Sequence, residues 1–175
     1  MSKITALAIS VSILGGIATW LFLSVGTILI WAAFVAWACF YFSGGDEAAL
    51  KSTIASNIFG VIVASTTAVV ILAVPMADQI GANIWASLVV TASIAIYILA
   101  ANIAIISSIP GTTLGYAATF AYLLQTPDRL SLQAVLSLSL ESSYLVVPLS
   151  MVIGALFAYA SAKAAEVISV QTQPG

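Results

Sequence analysis

The sequence predicts an all-α integral membrane protein, and three observations predict it. Of its 175 residues, 62% are hydrophobic and only 6% are charged. The apolar residues also fall in long unbroken runs. An average soluble domain carries about 25% charged and about 45–50% apolar residues. It needs that polarity because a small globule exposes much of its surface. In lipid, only helices and closed barrels satisfy their own backbone hydrogen bonds. Barrel strands alternate apolar and polar residues, so continuous runs mean helices.

Six apolar segments follow in order: residues 4–24, 27–42, 52–74, 83–107, 112–124 and 144–165. The first resembles a signal peptide only at its start, Met1-Ser2-Lys3. The run passes through Gly15-Gly16 to Trp20-Leu21-Phe22-Leu23 without a small-residue cleavage pattern, so it reads as an uncleaved membrane helix. Ser43-Gly44-Gly45-Asp46-Glu47 ends the second segment, and Pro75 with Asp78 ends the third. Pro110-Gly111 separates the fourth from the fifth, and Gln125-Thr126-Pro127-Asp128-Arg129 is a loop. Residues 131–143 read either as an amphipathic element at the membrane surface or as an extension of the sixth helix. One membrane domain, 1–168, precedes a polar tail, 169–175.

Crossing a hydrocarbon core takes roughly 20 helical residues. The second and fifth segments reach only about 22 Å at about 1.5 Å per residue. They are either thin spans, with Trp31, Trp37 and Tyr41 as interfacial anchors of the second, or broken, re-entrant helices. With six crossings, Lys3, Lys51 and Lys163 share one side and Arg129 the other, which predicts cytoplasmic termini.

The order long, short, long occurs twice, giving halves 1–75 and 80–168 with an insertion at 125–143. Setting Trp31 against Gly111 pairs Ala38 with Ala118 and Phe40 with Phe120. Beyond the insertion, Gly60 and Ala64 match Gly154 and Ala158. Three segments per half predict inverted repeats, an architecture that places sites where interrupted helices meet.

The charges exclude as much as they suggest. Four Lys or Arg against six Asp or Glu give a net charge of −2, and no basic patch exists to bind nucleic acid. With no His and a single cysteine, Cys39, neither a metal cluster nor an internal disulfide is expected, and no cofactor. Every ionisable residue falls in a loop or at a helix end, Glu141 being the one that a dipping segment would carry inward. Proton-coupled carriers keep such a group in the membrane, and hydrolases need a nucleophile with a base or a metal. No enzyme is expected.

What the segments do hold is neutral and small. Gly15, Gly16, Gly60, Ala64, Gly115, Gly154 and Ala158 permit close helix packing. Asn57, Asn102, Thr112, Thr113 and Thr119 offer hydrogen-bonding groups, either as inter-helix ties or along a solute path. Pro110 and Gly111 mark the break at which free N–H groups would open the fifth helix, unless the break is a simple turn.

These stretches resemble the YcdZ-like family of small bacterial inner-membrane proteins of unknown function. The resemblance lies in Trp31-Ala32-Ala33-Phe34 with Ser43-Gly44-Gly45, in Pro110-Gly111-Thr112 with Gly115 and Ala118-Thr119-Phe120, and in Gly154 with Phe157-Ala158-Tyr159. It implies a bacterial inner membrane and several spans, and brings no catalytic residue. The leading expectation is therefore a channel or facilitator for a small uncharged solute, surrounded by lipid and able to form homo-oligomers. The alternative is a non-transporting membrane subunit that docks or stabilises a partner protein.

Overall fold

A computed structural model describes residues 1–170. Among these it is wholly helical: α1 (Lys3–Val25), α2 (Ile30–Phe42), α3 (Glu47–Ala73), α4 (Ala77–Ile80), α5 (Ala82–Ala100), a 3₁₀ turn (Ala104–Ile106), α6 (Ile109–Gln125), α7 (Leu132–Val135) and α8 (Ser143–Val170). Four helices, α1, α3, α5 and α8, are long and apolar enough to cross a membrane. α8 runs through Ser169 and Val170, the first two residues of the polar stretch 169–175. Residues 171–175 lie outside the described residues.

Local chemistry sets most helix ends. Asp46 accepts the Ala49 N–H at 2.7 Å and starts α3 five residues before its apolar run. Gly26 ends α1 with φ 72°. The fourth apolar run, 83–107, is not one helix. It breaks after Ala100, where Asn102 Nδ2 turns back to donate to the Leu99 carbonyl. Ser108 then caps α6 by accepting the Gly111 N–H at 3.1 Å, and Pro110 occupies the first turn, where its missing donor costs nothing. α6 thus starts three residues before the expected 112. Between 131 and 142 the only helix is the single turn α7.

The chain reverses at each connection between the six longer helices. α2 runs parallel to α8: Leu29 donates to Ser150 Oγ (2.9 Å), the Ala33 carbonyl abuts Gly154, and Tyr41 Oη meets Ser161 Oγ (2.6 Å). α3 runs parallel to α6, with Ser56 against Gly111, Asn57 against Gly115, and Gly60 against Thr112 and Tyr116. α3 and α8 are antiparallel: Ser65–Ser143 (2.8 Å) and Thr66–Tyr144 (2.9 Å) join them at one end, and Glu47 lies within electrostatic reach of Lys163 at the other. α5 lies antiparallel along α3, where Trp85 donates to the Ile71 carbonyl, and along α6, where Ser93 meets Tyr116. α1 packs on α8 through Phe22 and Phe157, whose rings meet edge-on at 5.7 Å.

One core gathers Val61, Tyr122, Leu123, Val135, Val147 and Met151 among α3, α6, α7 and α8. A second gathers Phe22, Trp37, Phe40 and Ala158 among α1, α2 and α8. The outer surface is apolar as well: Trp20, Leu23, Phe42, Leu99 and Ile105 are all exposed. That inversion of soluble practice suits a lipid surround.

An uncharged polar cluster at the α3–α6 crossing

The helices meet most tightly where glycine removes the side chain. A Cβ on Gly60 would fall 2.0 Å from the Thr112 carbonyl oxygen, and one on Gly115 would fall 2.1 Å from that of Asn57. The two glycines face each other's helix, so backbone packs on backbone. Gly154 makes the matching approach to α2, 2.1 Å from the Ala33 carbonyl oxygen. Ala64 and Ala158 are fully buried one turn further along α3 and α8. The other two glycines behave differently. Gly15 only grazes the Phe34 ring at 3.9 Å, and Gly16 faces open space.

Beside the α3–α6 crossing lies a group of buried polar side chains whose hydrogen-bonding capacity is largely unmet. Thr53, Ser56 and Asn57 stand on one face of α3, at i, i+3 and i+4, and Thr112 lies across the crossing on α6, its carbonyl against Gly60. All four are at most 1% exposed. Ser56 Oγ, both side-chain atoms of Asn57 and Thr112 Oγ1 lack hydrogen-bond partners among the described residues, and Thr53 Oγ1 has only the weakly bonding Cys39 thiol beside it. Native interiors pair the large majority of such atoms. Thr119, also buried, is satisfied internally, because its hydroxyl donates to the Gly115 carbonyl at 2.9 Å.

The fold separates the remaining expected site residues from this cluster. Thr113 turns outward and donates to Tyr97 Oη at 3.4 Å. Pro110 is exposed, and its neighbour Gly111 is buried against Ser56. Asn102 sits exposed on the α5–α6 connection, tied to its own helix end. Asn57 and Thr112 are thus brought together, and Asn102 is not. Sequence alone does not single out Thr53 and Ser56: their i, i+3, i+4 spacing with Asn57 places them on one helix face but does not show that their hydroxyls are unmet.

Next to the cluster an open, apolar cleft of about 540 Å³ runs between the end of α2 and the start of α6. Cys39, buried and reduced, contributes to its lining and lies beside Thr53. A second, more polar cleft of about 590 Å³ lies at the end of the bundle, among Lys3, Tyr41, Asp46 and Glu166. Charge is confined to the two ends. Glu47–Lys51 (2.8 Å) and Lys163–Glu166 (2.9 Å) are exposed pairs at one end, and Arg129–Glu141 (3.0 Å) ties the α6–α8 loop at the other. No group of His, Cys, Asp and Glu able to hold a metal occurs among the described residues.

Fold and site together define an apolar helical bundle with an uncharged polar interior. The chain belongs to the family described as "Protein of unknown function (DUF1097)", whose model matches residues 8–166. No curated protein and no solved structure matches it.

Proposed function

We propose that this protein is a membrane facilitator for a small uncharged solute. The carrying observation is the buried cluster of Thr53, Ser56, Asn57 and Thr112. Each buried polar group without a partner costs about 1–3 kcal/mol. A neutral solute with donors and acceptors would supply the missing bonds in passing, as the linings of selective pores do. No ionisable group stands among them, which suits a permeant that moves without a coupled proton. In the present conformation the Gly60 and Gly115 contacts hold α3 and α6 together, so passage requires that crossing to loosen.

The architecture we infer is six crossings in two inverted halves, in a bacterial inner membrane. Matching contacts support it. Gly60 on α3 seats against α6 and Gly154 on α8 seats against α2, while Ser56 stands at the start of α6 and Ser150 at the start of α2. α1 packs on α8 as α5 packs on α3. α2 has only 13 residues, about 20 Å, yet it returns the chain to the end where α1 began. There Glu47 lies within electrostatic reach of Lys163, and one cleft joins Lys3, Asp46 and Glu166. Lys3, Lys51 and Lys163 therefore share an end opposite Arg129, which favours cytoplasmic termini. The resemblance to the YcdZ-like family favours the bacterial inner membrane.

The test is solute flux into liposomes holding the purified protein, using water, glycerol and urea against potassium and gluconate. Wild type should accelerate at least one neutral solute and neither ion, and Asn57→Leu should abolish the acceleration. Rates equal to those of protein-free vesicles, or an unaffected Asn57→Leu variant, defeat the reading.

A second reading, a subunit that docks a partner or a second copy of itself, has one observation in its favour. Of the 19 residues of α5, only Ser93 and Tyr97 are buried. Its exposed side carries Asn83, Ser87, Thr91 and Ala95 at four-residue spacing, a pattern suited to close helix contact. Under this reading, Thr91→Leu reduces the native particle mass measured by light scattering in detergent. An unchanged mass, or a particle already monomeric, rejects self-association through α5.

A further inference from the structure

The apolar cleft and the polar cluster share a wall. On the α2 side Cys39 belongs to the cleft and lies beside Thr53. On the α6 side Pro110 and Thr113 belong to the cleft, while Gly111 and Thr112 between them turn to α3, with Gly111 against Ser56. Cys39 beside Thr53, and the first turn of α6 against Ser56, stand between the cleft and the cluster.

Their chemistries are complementary halves of one ligand. The cleft is walled by Ala38, Phe42, Ile109 and Leu114, and Phe42 and Ile109 are exposed on the apolar outer surface. A volume of about 540 Å³ lies in the usual range for ligand clefts, about 300–1,000 Å³. An opening on an apolar surface receives molecules dissolved in lipid rather than in water. Behind it, the cluster offers only hydroxyls and an amide, and the cleft lining holds no Lys, Arg, Asp or Glu. A charged head placed there would be buried without a counter-charge, which is strongly unfavourable.

We propose that the cleft and the cluster together form a binding site for a membrane-dissolved amphiphile with one neutral hydrogen-bonding head, of the class of a long-chain alcohol. Its apolar body lies between α2 and α6. Its head passes Cys39 and, with one donor and two lone pairs, makes up to three hydrogen bonds among Thr53, Ser56, Asn57 and Thr112. This rests on reading the cluster as a solute site. It adds a route, sideways from the bilayer, and a substrate class.

The test uses the full chain in liposomes with two photoreactive probes of equal length, a diazirine-bearing long-chain alcohol and the corresponding alkane. The alcohol should label residues 38–42 and 109–114, and excess unlabelled alcohol should suppress that labelling. The alkane should label the same residues, and excess unlabelled alkane should not suppress that labelling. In Thr53→Val with Thr112→Val, which keeps the side-chain shapes, the suppressible labelling should fall about tenfold, as expected for one or two lost hydrogen bonds. Alkane labelling of that variant reports whether the cleft is still formed. If the cleft is lost, Ser56→Ala is read in the same way. Alcohol and alkane labelling alike, without suppression, overturns the proposal, as does a correctly formed variant that labels like wild type. Flux and labelling fail independently. A protein that conducts neutral solutes but shows no suppressible labelling loses only the amphiphile site. One that binds the alcohol but conducts nothing loses only the facilitator reading.

Discussion

Replacing glycine by alanine at three positions tests the helix crossings directly. At Gly60 the new methyl would lie 2.0 Å from the Thr112 carbonyl oxygen, 2.8 Å from the Tyr116 nitrogen and 2.9 Å from the Thr112 carbonyl carbon. Ordinary van der Waals contact is roughly 3.5 Å, so α6 must retreat by more than an ångström. The opposing atoms are backbone held in a helix, and no rotamer change relieves them. Overpacking of this kind costs about 1–3 kcal/mol and occasionally more. Alanine returns about 1 kcal/mol of helix propensity, which leaves a net loss of about 2 kcal/mol at the upper end of that range, where a clash with fixed backbone belongs. In a chain of this size that is about 4–8 °C of melting temperature. Gly115→Ala and Gly154→Ala, at 2.1 Å from the carbonyl oxygens of Asn57 and Ala33, should behave alike. Gly16→Ala meets nothing within 4 Å and should be neutral or stabilised by up to about 1 kcal/mol. Thermal unfolding in mild detergent, followed by tryptophan fluorescence, measures all four. A Gly60→Ala variant that melts with wild type, or a Gly16→Ala variant that falls as far as Gly60→Ala, refutes the reasoning.

Other outcomes follow from single hydrogen bonds. Ser150→Ala removes the acceptor of the Leu29 N–H and should lower stability by about 1–3 kcal/mol, whereas Ser56→Ala removes a hydroxyl with no partner and should not lower it; the same unfolding assay compares them. Glu141→Gln breaks its 3.0 Å pair with Arg129 at a largely exposed carboxylate, so stability should change by no more than about 1 kcal/mol, and solute flux should be unchanged. In a Cys39→Ala background, Asn102→Cys should react with a membrane-impermeant thiol reagent and Asn57→Cys should not. Equal labelling of the two would mean that the α3–α6 crossing is open at rest.

Much of the helical plan was legible from apolar run length, because a lipid surround leaves hydropathy little else to report. The first, third and sixth runs became α1, α3 and α8 with their breaks near the expected residues. The fourth run was not legible in the same way. Hydropathy cannot distinguish the helix of α5 from the turn at Ala101–Ser108, since Ile103, Ile105 and Ile106 are as apolar as the helix itself. What ended the helix was local, with Asn102 bonded back to Leu99 and Ser108 free to cap α6. The candidate site divided along similar lines. Asn57 and Thr112 stood out as polar residues in apolar runs. Thr53 and Ser56 did not, because threonine and serine in apolar helices usually bond their own backbone, as Thr67 does to Val63 and Thr119 to Gly115. Whether a hydroxyl is satisfied depends on its rotamer and its neighbours, which spacing alone does not reveal.

The most closed and the least satisfied parts of the bundle are the same interface. At Gly60 and Gly115 the backbones of α3 and α6 touch, and within two turns Ser56, Asn57 and Thr112 are buried without hydrogen-bond partners for their side chains. At about 1–3 kcal/mol for each buried unsatisfied group, the cluster opposes a contact that the glycines favour. The balance is sensitive to anything that bonds the cluster, because each bond made there removes part of the cost of keeping α3 and α6 in register or of parting them. A molecule that presents a hydroxyl or carbonyl therefore has a differential affinity for whichever arrangement lets it reach Asn57 and Thr112, and only such a difference can shift a conformational equilibrium. Thr53→Val with Thr112→Val removes this sensitivity without touching the glycines. It should make the empty protein more stable, and the same solute that shifts the melting temperature of wild type should leave that of the variant unchanged. An equal shift in both would mean that the solute acts elsewhere and that the cluster is merely a cost the fold bears.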